Sequence, residues 1–178
     1  MLKIALPYID QLRELFLETW YREEYKYYNI DVYYDLYKPT VTEEEGDYRS
    51  REFVSVYNNR IIGYIEYSIN RISNIVTNVC IIRFSHCQKN QLAEMMQFSR
   101  DVMQVVDDIF MKFNHEKINF YCIKDNPARK MYEKFISKNG GTYVGTQRKN
   151  QKLMDNKYYD DCLYEILKED YMKERRNR

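Results

Sequence analysis

Ile9, Leu12, Leu15, Phe16 and Trp20 recur at helical spacing in a stretch that carries no glycine from Pro7 to Tyr37, and Val32 and Leu36 resume the period past a break near Asn29. This pattern predicts two consecutive helices. Residues 39–47, with Glu43, Glu44 and Glu45, hold no face that could be buried and read as a surface loop. After it the period changes from helix to strand. Residues 52–57 alternate, Asn58-Asn59-Arg60 suits a tight turn, and residues 61–69 return as the second arm of a hairpin. The β-branched run at 75–84 predicts a third, largely buried strand.

The strongest period follows. Leu92, Met95, Met96, Ser99, Val102, Met103, Val106, Ile109, Phe110 and Phe113 predict one long amphipathic helix, with the methionines filling core beside the sheet. A short strand is expected at 118–123, then a helix at 127–138 that has proline in its first turn and stops at Gly140-Gly141. Residues 142–146 and 161–167 read as two closing antiparallel strands around a polar connection at 148–157. The charged residues 173–178 read as a solvated, fraying tail, and residues 1–172 as one domain with no internal repeat.

Composition narrows the classes of function. The chain has 178 residues, 44% hydrophobic and 31% charged, which suits one globular domain. With 28 Lys and Arg against 27 Asp and Glu, the net charge of +1 supplies no general field for nucleic acid or an anionic membrane, so neither is expected as a partner. No apolar run is long enough for a membrane helix, and the first seven residues are too short for a signal-peptide core, which points to the cytoplasm. Cys80, Cys87, Cys122 and Cys162 form no CxxC pair, so the expectation is buried free thiols, with no disulfide framework and no metal site. The 19 tyrosines carry no functional weight by number alone.

One segment carries chemistry. Asp125-Asn126-Pro127-Ala128-Arg129-Lys130-Met131-Tyr132-Glu133-Lys134, closing a strand and opening a helix, resembles a signature of the GCN5-related N-acetyltransferase (GNAT) family. The order of elements is similar to that family's layout, and residues 140–145 with 155–160 look like the end of its ribosomal-protein-acetylating branch. The resemblance covers about residues 1–172 and implies an α/β fold with a mixed, mostly antiparallel central sheet flanked by helices.

It also implies an acetyl-CoA site, with no metal. In the family a pyrophosphate rests on a helix N-terminus behind a loop of Gln or Arg, two residues, Gly, one residue, then Gly or Ala, so that amides and helix dipole meet the anion. The matching positions are Gln88, Lys89, Asn90, Gln91, Leu92 and Ala93, with Gln91 standing where the family has its first glycine, a degenerate form of the loop. Backbone groups of Ile82, Arg83 and Phe84 would hold the pantetheine arm as an added strand, and Asn126 would join the cofactor site. Tyr132 would return a proton to the departing thiolate, and Glu66, on the strand beside the third, is the nearest carboxylate for the role of base.

The resemblance implies an acceptor side at the first two helices and the last hairpin; residues 21–37 interleave Tyr21, Tyr25, Tyr27, Tyr28, Tyr33, Tyr34 and Tyr37 with carboxylates, which suits a cationic amine or, more simply, an amphipathic face with half-buried tyrosines. The expected activity is acetyl transfer to a primary amine of a protein N-terminus, a lysine or a small molecule by direct attack in a ternary complex, from a monomer or homodimer. The alternative, motivated by Gln91 and by the absence of a carboxylate on the third strand, is an inactive member of the fold that binds a protein partner.

Overall fold

The computed structural model describes residues 1–19, 22, 25–27, 50–84 and 91–177, with the side chain of Gln91 excepted. Strand β1 (Leu2–Ile4) leads through a 3-10 turn at Leu6–Tyr8 into helix α1 (Ile9–Thr19). Then come β2 (Ser50–Tyr57), β3 (Arg60–Asn70), β4 (Ile75–Arg83) and helix α2 (Gln91–Asp107), which continues as a π-helical turn over Asp108–Lys112. Strand β5 (Lys117–Ile123), helix α3 (Arg129–Lys138), strands β6 (Thr142–Lys152) and β7 (Tyr158–Leu167) and helix α4 (Lys168–Arg176) complete the chain. The seven strands form one sheet in the order β1-β2-β3-β4-β5-β7-β6, antiparallel except for the β4–β5 pair. Among the described residues no helix is long and apolar enough to cross a membrane.

Local chemistry explains the boundaries. The β2–β3 hairpin turns at Asn58 and Asn59, with φ of 47° and 59°, the double left-handed geometry that asparagine tolerates and that matches strand twist. Helix α3 ends in a Schellman motif: the Gly141 amide donates to the Ile136 carbonyl at 2.9 Å and the Gly140 amide to Ser137 at 3.2 Å, with Gly140 at φ 79°.

The core has two layers. On one face Leu12 and Phe16 of α1 pack with Tyr25 against Val54, Ile61, Tyr64, Ile82 and Phe84. On the other, α2, α3 and α4 pack against Ile65, Tyr67, Val79, Ile118, Phe120 and Ile166, with Phe98, Val102, Ile109, Phe110, Ile136 and Tyr171 inside. Helix α2 lies so near β3 that a Cβ built on Gly63 would fall 2.2 Å from the Phe98 ring.

Several expectations need correction. Met95, Met96 and Leu92 are exposed, at 43%, 48% and 72%, instead of filling core. The first half of α2 buries Glu94, Phe98 and Asp101 in their place. Arg60 of the hairpin meets Glu94 at 2.7 Å, and Asp101 accepts from Ser55 Oγ at 2.6 Å and from Gln97 Nε2 at 2.9 Å. These polar partners fix the rotation of the helix, and hydrophobic periodicity does not register them. The closing strands run on through most of the region read as a connection, because a bulge near Lys149, at φ 51°, absorbs its irregularity. Residues through Arg176 are helical where a fraying tail is expected from the charge run. Strand β1 carries no period of its own, being three residues long and held by pairing with β2. The second predicted helix and the acidic loop lie outside the described residues.

Candidate active site

The parallel β4–β5 pair has only two partner positions, Ile75 with Lys117 and Val76 with Ile118. Past Val76 the strands part. Strand β4 follows β3 up to the pair Arg83–Gly63, and β5 follows β7 up to the pair Ile123–Asp161. A bulge lies at the divergence: Asn78 sits at φ 51°, and the β3–β4 register shifts between Glu66 and Ser68.

Among the described residues, the parting leaves backbone groups of β4 without a strand partner on that side. The Phe84 amide donates to the Ile62 carbonyl of β3 at 2.9 Å. Because an antiparallel ladder alternates, Ile82 points the same way, while Ile81 and Arg83 turn their amides and carbonyls into the gap. Side chains confirm the alternation. The Tyr132 hydroxyl donates to the Ile81 carbonyl at 3.4 Å, and the Tyr25 hydroxyl donates to the Arg83 carbonyl at 3.1 Å. Of the three residues predicted to line the gap with backbone groups, Arg83 does so. Ile82 and Phe84 instead face β3, and Ile81, not singled out from the sequence, takes the neighbouring place.

Tyr132 is aimed by the turn that opens α3. Asn126 Oδ1 accepts the Ala128 amide at 2.9 Å and its carbonyl accepts the Arg129 amide at 2.9 Å, so this residue builds the helix start. One turn on, the half-buried Tyr132 packs against the core shared with α2 and reaches across the gap to β4. Its neighbour Glu133 is held by the Tyr164 hydroxyl at 3.0 Å and Arg129 at 3.5 Å.

Glu66 lies on the opposite face. Its Oε2 accepts the Tyr64 hydroxyl at 3.3 Å, and Tyr64 belongs to the α1 layer. It is half-buried. Burial, then the charge of Glu52, pushes its carboxyl up to about 7, against a smaller downward pull from the Tyr64 hydrogen bond. A carboxyl poised there exchanges protons at neutral pH. The gap thus has a phenol reaching across it from α3, and the titrating carboxyl stands on the α1 face of the neighbouring strand β3.

No protein-family model matches the sequence, and no curated protein matches it. Solved structures do. A point mutant of spermidine N-acetyltransferase SpeG from Vibrio cholerae aligns over 100% of this chain and 99% of its own, at 20% identity and TM-score 0.69. A spermidine N-acetyltransferase chimera of SpeG from Vibrio cholerae and hSSAT aligns over 97% of each chain at 23% identity and TM-score 0.68. A Chromobacterium violaceum protein assigned to the GNAT acetyltransferases aligns over 70% of this chain and 62% of its own at 13% identity and TM-score 0.57. This chain has the GNAT acetyltransferase fold.

Within that fold, the predicted pyrophosphate loop falls partly outside view. Gln88, Lys89 and Asn90 lie outside the described residues. Gln91 begins α2, and Leu92 and Ala93 are exposed on its first turn. Of the tyrosine-rich stretch, Tyr25 is buried at the gap and Tyr27 stands 6.1 Å from the Tyr159 ring of β7. Tyr25 was one of seven tyrosines in the sequence reading, and nothing in its spacing distinguished it. Asn78 had a signal: an asparagine inside a β-branched run marks a place where the backbone can turn left-handed.

Proposed function

We propose that this chain is an acetyl-CoA-dependent N-acetyltransferase acting on a primary amine by direct attack in a ternary complex. The observation that carries the reading is the gap between β4 and β5, with Tyr132 reaching across it to Ile81; Glu66 stands one strand away, on the α1 face of β3. The outward amides and carbonyls of Ile81 and Arg83 suit the amide groups of a pantetheine arm laid along β4, so these residues fit acetyl-CoA. When bound, acetyl-CoA supplies an activated acetyl group and a thiolate leaving group.

The chain's own residues supply the rest. Backbone amides on the outward edge of β4 hold the arm and polarise the acetyl carbonyl. Glu66, ionised at and above about pH 7, takes a proton from the acceptor amine, directly or through water. Tyr132 donates its phenolic proton to the departing sulfur, a role open to a hydroxyl donor aimed at the gap. Leu92 and Ala93 lie on the first turn of α2, where the helix N-terminus favours phosphate oxygens, with Lys89 adding charge. The spermidine N-acetyltransferases that share the fold support an amine acceptor, and the tyrosines and carboxylates of residues 18–37 support a cationic one.

Binding and turnover test the reading separately. Acetyl-CoA should raise the melting temperature, and native mass spectrometry of freshly purified protein should retain a CoA-sized mass. Thiol release should appear with at least one member of an amine panel holding spermidine, short diamines, lysine and peptide N-termini. No thermal shift at millimolar acetyl-CoA, with no thiol release across the panel, would sink the proposal and favour an interaction role for the fold.

A further inference from the structure

Glu66 has a second carboxylate as its cross-strand neighbour. In the β2–β3 ladder Glu52 is the direct partner of Glu66, so both side chains leave the sheet on the same face, at the short spacing of opposed residues. Like charges so placed oppose folding, and a neutral polar residue at 52 would keep the same alternation without that repulsion. On the other flank Glu66 faces Cys80, its partner on β4, and on its own strand Tyr64. From the segment after α1, Tyr25 joins the same layer. Among these groups Glu52 alone is a carboxylate.

We propose that Glu52 is a positioning residue for the base: its charge, set directly across the ladder from Glu66, adds to burial and raises the pH at which Glu66 becomes able to accept the acceptor amine's proton. This inference rests on the reading of Glu66 as that base. With Glu52 ionised, ionising Glu66 places two negative charges side by side in a half-buried site, so Glu66 keeps its proton to higher pH than burial alone would require. An arriving cationic amine offsets this repulsion. The pair thereby favours loss of the Glu66 proton when the acceptor is in place, and the cross-strand repulsion has a use. The observable is the midpoint of the Glu66 signal together with the pH profile of the reaction.

The experiment is a carboxyl 13C titration of Glu66 by NMR in the unmodified protein, Glu52→Gln and Glu52→Asp, paired with kcat/KM against pH for the same three proteins and for Glu66→Gln. Glu52→Gln should lower the Glu66 midpoint by roughly one pH unit and carry the acidic limb of kcat/KM down with it. Glu52→Asp, which keeps the charge, should return both toward the unmodified values. An unchanged midpoint in Glu52→Gln overturns the role of Glu52 whatever the activity. A midpoint that moves while the limb stays, or a limb that survives in Glu66→Gln, overturns instead the reading of Glu66 as the base.

Discussion

The two halves of the sheet are covered differently. Strands β2 to β4 lie between layers, with Val54, Tyr64 and Ile82 under α1 and Ile65, Tyr67 and Val79 under α2. In the β5–β7–β6 half, Ile118, Phe120, Tyr164 and Ile166 face α3 and α4, while Lys117, Asn119, Tyr121 and Glu165 on the reverse stay half-exposed, with Lys117 and Glu165 paired at 3.2 Å. The first half is a wall fixed from both sides, and the second presents a helix that carries side chains to that wall. Among the described residues, backbone groups lack strand partners at the seam between them, and there Tyr132 and Tyr25 supply hydroxyls to β4. A ligand that brings its own amides and carbonyls can act as the missing strand.

The contrast can be broken at its chemical link first. Tyr132→Phe should lower kcat by about 100-fold or more and leave acetyl-CoA affinity, read by calorimetry, nearly unchanged, since it removes a proton donor and not a wall. A comparable loss of affinity would mean that the phenol holds the cofactor. Next is the wall itself. Gly63→Ala places a methyl group against Phe98 and should destabilise the protein by roughly 1–3 kcal/mol in urea unfolding. Phe98→Leu in the same chain should recover part of that loss.

Two smaller effects sharpen the comparison. Below pH 7 the rate should fall about tenfold per unit as Glu66 gains a proton, and Glu66→Gln should abolish that slope. The same group tilts stability. Its folded value is raised, so its favourable contribution is full below the ordinary carboxyl value of 4.5 and is lost as pH rises through about 7. The Glu66→Gln protein should accordingly lose less stability than the unmodified one between those limits. Last, Asn126→Ala removes the acceptor that caps the turn into α3 and should cost about 1 kcal/mol, with a small loss of kcat as Tyr132 is held less firmly. A change in kcat larger than that from Tyr132→Phe would mean that Asn126 touches substrate.

Much of the architecture is legible because it rests on short-range signals. Alternation marks β2 and β3, Asn58-Asn59 marks their turn, and Gly140-Gly141 marks the end of α3. What stays hidden depends on partners distant in sequence. The exposure of Met95 and Met96 follows from ion-paired Glu94 and buried Asp101, whose partners Arg60 and Ser55 lie more than thirty positions away. Tyr132 was legible through the segment around Asn126 and Ala128, and the partner of its hydroxyl, the Ile81 carbonyl, was not, since a main-chain acceptor leaves no trace in residue identity. Which amides of β4 face the gap depends on the ladder phase beyond the Asn78 bulge, and an alternating pattern read alone does not fix that phase.

The contact between Gly63 and Phe98 has a consequence for how this chain can vary. Trimming the ring at 98 frees only one side of position 63, because the Ile82 carbonyl stands 2.9 Å from the same built point and belongs to the main chain. Bulk therefore cannot be traded between the two positions by side-chain substitution alone. Any descendant with a side chain at 63 must also have moved its fourth strand, and with it the edge on which the second substrate is laid.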